Sequence, residues 1–216
     1  MPYSKILTTI FSAIFIIAST TQSAFAKNGY SVGVEGFYDN YQEESLDLDN
    51  DAYYGSVDLA YNYTWSKYFA EFSARASYGE NDYSSPSGTI SGVPQYEGEI
   101  RIIGGVVPSE RGFIQPYYGL GTRLFYDNGK DHPSNTGALG YDRIITQFYA
   151  PVGLWYQSKG EYFDVSSKAE FDITLYGIVS TRLQNAAGAG LPDIVNHQRM
   201  FEGYGLRVEI MLGKTL

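Results

Sequence analysis

Between Tyr53 and Trp65 the chain reads YYGSVDLAYNYTW, and taking alternate residues splits it into two lists. One list is Tyr53, Gly55, Val57, Leu59, Tyr61, Tyr63 and Trp65; the other is Tyr54, Ser56, Asp58, Ala60, Asn62 and Thr64. A period of two is the signature of a β-strand, whose successive side chains point to opposite sides of the pleat. The alternation runs far past the usual strand length of about 5–6 residues and past the roughly 9–11 tilted residues that cross a bilayer.

The same alternation recurs along the chain and predicts eight strands: 30–38, 53–65, 68–78, 97–106, 114–126, 144–156, 163–175 and 204–212. In each, one face is rich in Val, Leu, Ile, Phe and Tyr, and the other in Gly, Ser, Ala, Asn and Thr with scattered charges. The intervening segments alternate in length. Long polar stretches at 39–52, 79–95, 127–142 and 177–199 exchange with short turns at Ser66-Lys67, around Pro108–Gly112 and at Ser158–Glu161. Such alternation separates two ends of an up-and-down antiparallel barrel, one with tight turns and one with long loops. Aromatic residues collect near both ends: Tyr63, Trp65, Tyr68, Phe113, Tyr118, Tyr156, Tyr162 and Phe163 by the turns, and Tyr38, Tyr53, Tyr78, Tyr96, Tyr126 and Tyr176 by the loops. Two such belts are expected where a barrel wall leaves the hydrocarbon for the interfaces.

A soluble eight-stranded barrel has the same period. It would turn the apolar face inward and present a Lys- and Glu-rich face to water. Here the polar face is made mostly of small residues, which suit the inside of a narrow tube. The expected fold is therefore all-β: an eight-stranded antiparallel up-and-down transmembrane β-barrel.

The first 26 residues stand apart. Lys5, the apolar run Ile6–Ala18 and the small-x-small triplet Ala24-Phe25-Ala26 have the form of a secretory signal peptide, leaving residues 27–216 as one barrel domain. Removing it takes away one of 15 basic residues and none of 24 acidic ones, so the mature chain carries 14 − 24 = −10. That balance speaks against nucleic acid as a partner. With no cysteine, stability must come from hydrogen bonding and burial rather than disulfides.

The segments YYGSVDLAYNYTW, FIQPYYGLGTRLFYD, QFYAPVGLWY and GYGLRVEIML resemble the small eight-stranded outer-membrane proteins of Gram-negative bacteria, such as the OmpA transmembrane domain and OmpX. The resemblance covers essentially all of residues 27–216. It implies an outer-membrane location with both termini in the periplasm, a monomer, contact with lipid and lipopolysaccharide, and delivery by the barrel-assembly machinery. It implies no cofactor and no enzymatic activity, with the loops open to a host or surface ligand. Such proteins commonly finish on an aromatic residue. This chain continues past Leu212 with Gly213-Lys214-Thr215-Leu216.

Three groups of residues are candidates for chemistry. On the small-residue face, Glu35, Asp58, Glu71, Glu97, Glu99, Glu170, Asp172 and Glu209 meet Arg75, Arg101, Arg123, Lys168 and Arg207. In a narrow interior these must pair, either as a structural plug or as a selective ion path, the narrow-channel alternative. Asp58 in particular should need an arginine or lysine from another strand. Asp47-x-Asp49-x-Asp51 begins like a calcium loop, but Ala52 stands where that loop needs glycine, so a solvated acidic loop is the competing reading. Finally, His132-Pro133-Ser134-Asn135 has the His-x-Ser-Asn spacing of lipid A deacylases, which it resembles. That resemblance would make His132 the base and Ser134 the nucleophile of a lipid A-modifying esterase. Pro133 would interrupt a strand there, and the alternative is a polar loop tip.

Overall fold

The fold is taken from a computed structural model, which describes residues 9–15, 28–43, 48–86, 88–106, 114–159, 164–184 and 192–213. Its strands are β1 (Thr9–Phe15), β2 (Asn28–Glu43), β3 (Leu48–Trp65), β4 (Tyr68–Ser85), β5 (Gly88–Val106), β6 (Ile114–Asn128), β7 (Asp142–Lys159), β8 (Asp164–Arg182), β9 (Ile194–Gln198) and β10 (Tyr204–Gly213). From β2 to β8 every strand pairs antiparallel with the next. The result is an all-β, up-and-down meander curled around one interior. β9 and β10 both lie along β8, β9 beside Gly177–Thr181 and β10 beside Asp164–Ile173. Between them the chain bulges at Arg199–Gly203, where Phe201 adopts φ 67° and its N–H donates to the Thr174 carbonyl.

The curl follows from the register. Beginning at Asn28 on β2, successive cross-strand partners are Tyr63, Ala70, Gly104, Tyr118, Val152, Phe171 and Leu206. From Leu206 the path goes through Phe11 of β1 to Asn40, again on β2. One circuit therefore climbs 40 − 28 = 12 residues, a steady slope of the kind that tilts strands in curled sheets. β2 and β10 are not paired with each other. β1, drawn from the segment with leader-like sequence, lies between them, antiparallel to β2 and parallel to β10.

The structure extends the strands well beyond the apolar alternation. Residues 39–52 and 79–95 read as loops, yet β2 and β3 run to Glu43 and from Leu48, and β4 and β5 to Ser85 and from Gly88. Backbone pairing, not side-chain hydrophobicity, carries these polar hairpins past the wall. The stretch 177–199 likewise holds the end of β8 and all of β9. Among the described residues, 129–141 form the irregular loop that falls within the expected stretch 127–142. A second correction concerns Leu175, which simple alternation puts on the face of Ile173. Phe148 pairs with Tyr176 but Tyr149 pairs with Thr174, so Leu175 is an extra residue in a bulge, and the faces change phase there.

Candidate functional site: a charged interior inside an apolar shell

The two faces are sorted as the residue sizes suggested, with the polar and small face inward. Glu71, Glu97, Glu99, Arg101, Lys168, Glu170 and Arg207 are all buried. Val57, Leu59, Phe72, Ile100, Ile102, Leu120, Val152, Leu154, Phe171 and Val208 point outward and are exposed. An exposed apolar patch on an ordinary soluble monomer rarely exceeds a few hundred Å². Here it encircles the described wall.

Within the interior, three levels can be distinguished. Nearest the short turns, Phe69, Ile103, Tyr117 and Trp155 form an apolar cluster; Phe69 and Trp155 meet edge to face at 5.3 Å. The indole N–H of Trp155 donates to Ser166 Oγ at 2.6 Å. This cluster fills the cross-section because glycines on neighbouring strands leave it room. A Cβ at Gly153 would come within 2.4 Å of the Tyr117 ring and one at Gly105 within 2.7 Å of the Phe69 ring; at the next level, one at Gly121 would come within 2.3 Å of the Tyr149 ring. Those glycines are there for close approach, not for an unusual backbone angle.

Above the apolar cluster lies the charge network. Glu99 is its hub: Oε1 accepts from Arg123 Nη2 at 2.7 Å, from Arg207 Nη2 at 2.9 Å and from the Tyr149 hydroxyl, while Oε2 faces Arg75 Nη2 at 3.1 Å. Arg75 also binds Glu97 at 2.6 Å and Glu35 at 3.6 Å. Arg101 holds Glu170 at 2.8 Å, with Glu209 at 3.5 Å and Glu71 at 3.9 Å. Lys168 completes this side, 3.1 Å from Glu71 and 3.9 Å from Glu209, with its ammonium 4.7 Å from the Trp155 ring centre. Arg123 reaches Asp172 at 3.3 Å. The partners sit on β2, β4, β5, β6, β7, β8 and β10, so the network ties together strands far apart in sequence.

Twelve of the thirteen expected interior residues therefore meet directly: Glu35, Glu71, Arg75, Glu97, Glu99, Arg101, Arg123, Lys168, Glu170, Asp172, Arg207 and Glu209. Asp58 differs from expectation. Arg75 lies opposite it across β3 and β4 but turns to Glu97, Glu99 and Glu35. Among the described residues Asp58 accepts a hydrogen bond from the Ser56 hydroxyl at 3.3 Å and forms no ion pair.

Toward the loop end the interior becomes a polar relay that alternation alone did not single out. Arg143 Nε donates to Asp127 at 2.7 Å, the Gln95 amide donates to Asp127, and the Tyr54 hydroxyl donates to Gln95. Phe37 stacks on Tyr54 beside it, ring centres 4.5 Å apart. Asp127 and Gln95 looked like loop residues. Their inward parity, continued from Arg123 and Glu97, was the available signal.

The other two candidate groups separate. Asp47 lies outside the described residues, while Asp49 and Asp51 sit on β3, where the Tyr38 hydroxyl donates to Asp51. Among the described residues no group of three or more acidic or histidine side chains is placed to hold a metal ion. In the loop 129–141, Ser134 is buried and its hydroxyl is engaged inside the turn, accepting from Ala138 N–H at 3.0 Å and lying 2.9 Å from Thr136 Oγ1. Asn135 pins the turn to β5, exchanging hydrogen bonds with the Thr89 backbone at 3.0 Å each way. No hydrogen bond joins His132 to Ser134 among the described residues. The other histidine, His197, pairs its Nδ1 with the Tyr176 hydroxyl at 2.8 Å.

On the outer surface the aromatic residues gather at two heights. Tyr63, Trp65 and Tyr68 are in ring contact beside the β3–β4 turn. At the opposite end Tyr38 meets Tyr53, and Tyr78, Tyr96 and Tyr126 form a row across three strands. Phe113, Tyr162 and Phe163 lie outside the described residues. No family model matches the chain, and neither the curated proteins nor the solved structures hold one significantly similar to it.

Proposed function

We propose that the protein is an integral β-barrel of a Gram-negative outer membrane, non-enzymatic, that strengthens the envelope and presents its long hairpins and loops outside. The observation that carries this reading is the inverted distribution of polarity between two aromatic rows. On β3 the rows are marked by Tyr53 and Tyr63, ten residues apart (63 − 53). At roughly 3.3 Å per residue and a tilt of about 40°, that is a height of about 25 Å, the thickness of the apolar band on outer-membrane barrels. No soluble environment would tolerate such a belt of exposed Val, Leu, Ile and Phe.

The filled interior favours a closed plug over an ion path. The Phe69–Trp155 cluster spans one end, and the Glu99 hub holds three arginines across the middle. The expected result in planar bilayers is silence across a range of voltages; steady conductance would favour the channel reading. Extraction and flotation test the location directly. The protein should float with outer-membrane vesicles and resist alkaline carbonate, and a soluble fraction would refute the assignment.

In the mature barrel, β2 and β10 close on each other once the leader is removed. The register relayed through β1 sets Asn40 opposite Leu206, hence Tyr38 opposite Val208, both outward, and Phe37 beside Glu209, both inward. A Tyr38→Cys, Val208→Cys pair should oxidise spontaneously in a chain without other cysteines. Tyr38→Cys with Ile210→Cys, two residues along, should not. Failure of every outward-facing pair along this seam would leave the sheet open.

A further inference from the structure

We infer that the interior face of β2–β4, between Glu35 and Ser77, is a binding pocket for an alkali metal cation. The pocket belongs to the curled sheet itself and stands whichever medium surrounds the outer face.

Six inward positions form two rows across these strands. The register sets Glu35 opposite Ser56 and Ser56 opposite Ser77; two residues along, Gly33 lies opposite Asp58 and Asp58 opposite Arg75. Ser56 and Ser77 are buried, whereas Gly33, Glu35 and Asp58 are half-buried, so the rows line a recess that solvent reaches. Small side chains leave it room, where rings and guanidinium groups fill the interior elsewhere. A Cβ on Gly33 would meet nothing nearer than Asp58 Cβ at 3.7 Å, an ordinary contact.

What points to a ligand is the state of the buried polar atoms. Ser77, 7% exposed, has a hydroxyl with no hydrogen-bond partner among the described residues. Glu35 Oε2 at the other end of its row has none either; its contact is an ion pair to Arg75 Nη1 at 3.6 Å. Buried polar atoms are rarely left so, and an ordered water or ion is the usual complement. Between them the Ser56 hydroxyl donates to Asp58 at 3.3 Å and keeps its lone pairs for a ligand.

The charges call for a cation. Of the thirteen interior charges, eight are acidic and five basic, which leaves three negative charges in excess. Asp58 is where that excess goes unmet. Arg75, directly across from it, is committed to Glu97 at 2.6 Å and Glu99 at 3.1 Å, and Arg207 on β10 to Glu99 at 2.9 Å. A buried charge without a counterion is costly. A divalent ion needs about six or more oxygen ligands with several carboxylates among them. One uncompensated carboxylate, a shared one and two neutral hydroxyls instead match a single positive charge.

The test follows urea unfolding of the refolded protein in neutral detergent micelles, in sodium chloride and in N-methylglucamine chloride at equal ionic strength. The organic cation is too large for the recess. Sodium at about ten times its dissociation constant should raise the folded-to-unfolded ratio about elevenfold. Asp58→Asn should abolish that gain and, in the organic salt, be at least as stable as the parent. Ser77→Ala removes a hydroxyl that bonds nothing in the protein. It should therefore leave stability in the organic salt unchanged and weaken the sodium gain, whereas a merely structural serine would lower both salts alike. Glu80→Gln, an exposed carboxylate on β4, should keep the full gain. Sodium-23 NMR should show line broadening with the parent that Asp58→Asn removes. Equal midpoints for the parent in the two salts overturn the pocket and assign the Asp58 charge to a bound proton. A sodium gain that survives in Asp58→Asn also overturns it and assigns the gain to the protein surface. Should Asp58→Asn fail to refold, Ser77→Ala carries the same comparison.

Discussion

Glu99→Gln is the perturbation that most directly tests how the interior is held. The change is nearly isosteric, so packing is preserved, but it removes the one carboxylate shared by Arg75, Arg123 and Arg207. It also turns an amide NH₂, a donor, toward guanidinium groups that can only donate. Arg75 keeps Glu97 at 2.6 Å, closer than Glu99, while Arg123 keeps Asp172 at 3.3 Å and Arg207 keeps Glu170 at 3.8 Å, more distant anchors than the one they lose. Breaking a buried pair costs about 3–5 kcal/mol because the surviving charge is stranded. The remaining anchors should keep the loss at the lower end, about 3 kcal/mol. At a urea slope of about 2–3 kcal/mol per molar, the unfolding midpoint in lipid vesicles should fall by about 1–1.5 M. Pairing Glu99→Gln with Arg207→Met should recover part of the loss, since the second change removes a stranded charge. A Glu99→Gln midpoint within error of the parent would mean that the hub is decorative and that the wall alone sustains the fold.

Further outcomes follow from the same geometry. Leu59→Arg, on the exposed face that the proposed assignment puts in lipid, should cost about 2–4 kcal/mol of membrane-folded stability near the midplane, against almost nothing for Ala60→Ser on the interior side; equal tolerance in urea titrations would show the faces to be reversed. Gly121→Ala should destabilise by about 1–3 kcal/mol, because its methyl would enter the Tyr149 ring, and Gly121→Ala with Tyr149→Phe should remain impaired because the ring stays. Asp58→Asn should be neutral or stabilising, since Asp58 faces Ser56 rather than a cation; a loss comparable to that of Glu99→Gln would reveal a partner in the folded protein. Ser134→Ala should leave lipid A acylation unchanged by mass spectrometry and lower stability by about 1 kcal/mol through the lost turn hydrogen bond.

The strands of the wall were legible because their period is strict and their two faces differ in size as well as polarity. Tyr53–Trp65 could be read to its last residue, and the turn Ser66-Lys67 is where the chain reverses. The polar hairpin ends were not legible. Residues such as Asp51, Asn81 and Thr89 carry no hydrophobic alternation, and what makes them strands is the ladder begun by the residues below them. The Leu175 bulge was hidden for a different reason: a single inserted residue leaves local composition unchanged and shows itself only against the partner strand. Pairings inside the interior were legible as a set but not one by one. Parity placed Asp58 and Arg75 on the same side and the register placed them opposite, yet Arg75 is drawn toward three glutamates instead.

That last competition explains why the interior is so heavily charged. An interior this narrow has to be filled, and the wall around it already turns its apolar residues outward, toward what the proposed assignment makes lipid. Filling it with more apolar side chains would make both faces of every strand alike, and a one-residue slip in register would then go unpunished. With Glu99, Arg101 and Glu170 inward and Ile100, Ile102 and Phe171 outward, any such slip would drive arginines and glutamates onto the apolar outer face while stranding leucines and isoleucines among charges. The desolvation of buried ions makes the pairs poor sources of net stability. As a penalty on every wrong register they are effective, because each residue of slip misplaces charges on several strands at once. The network is thus better understood as what defines the strand register of this fold than as its main source of stability. Glu99→Gln should accordingly show its loss in the uniqueness of the folded band as well as in the urea midpoint.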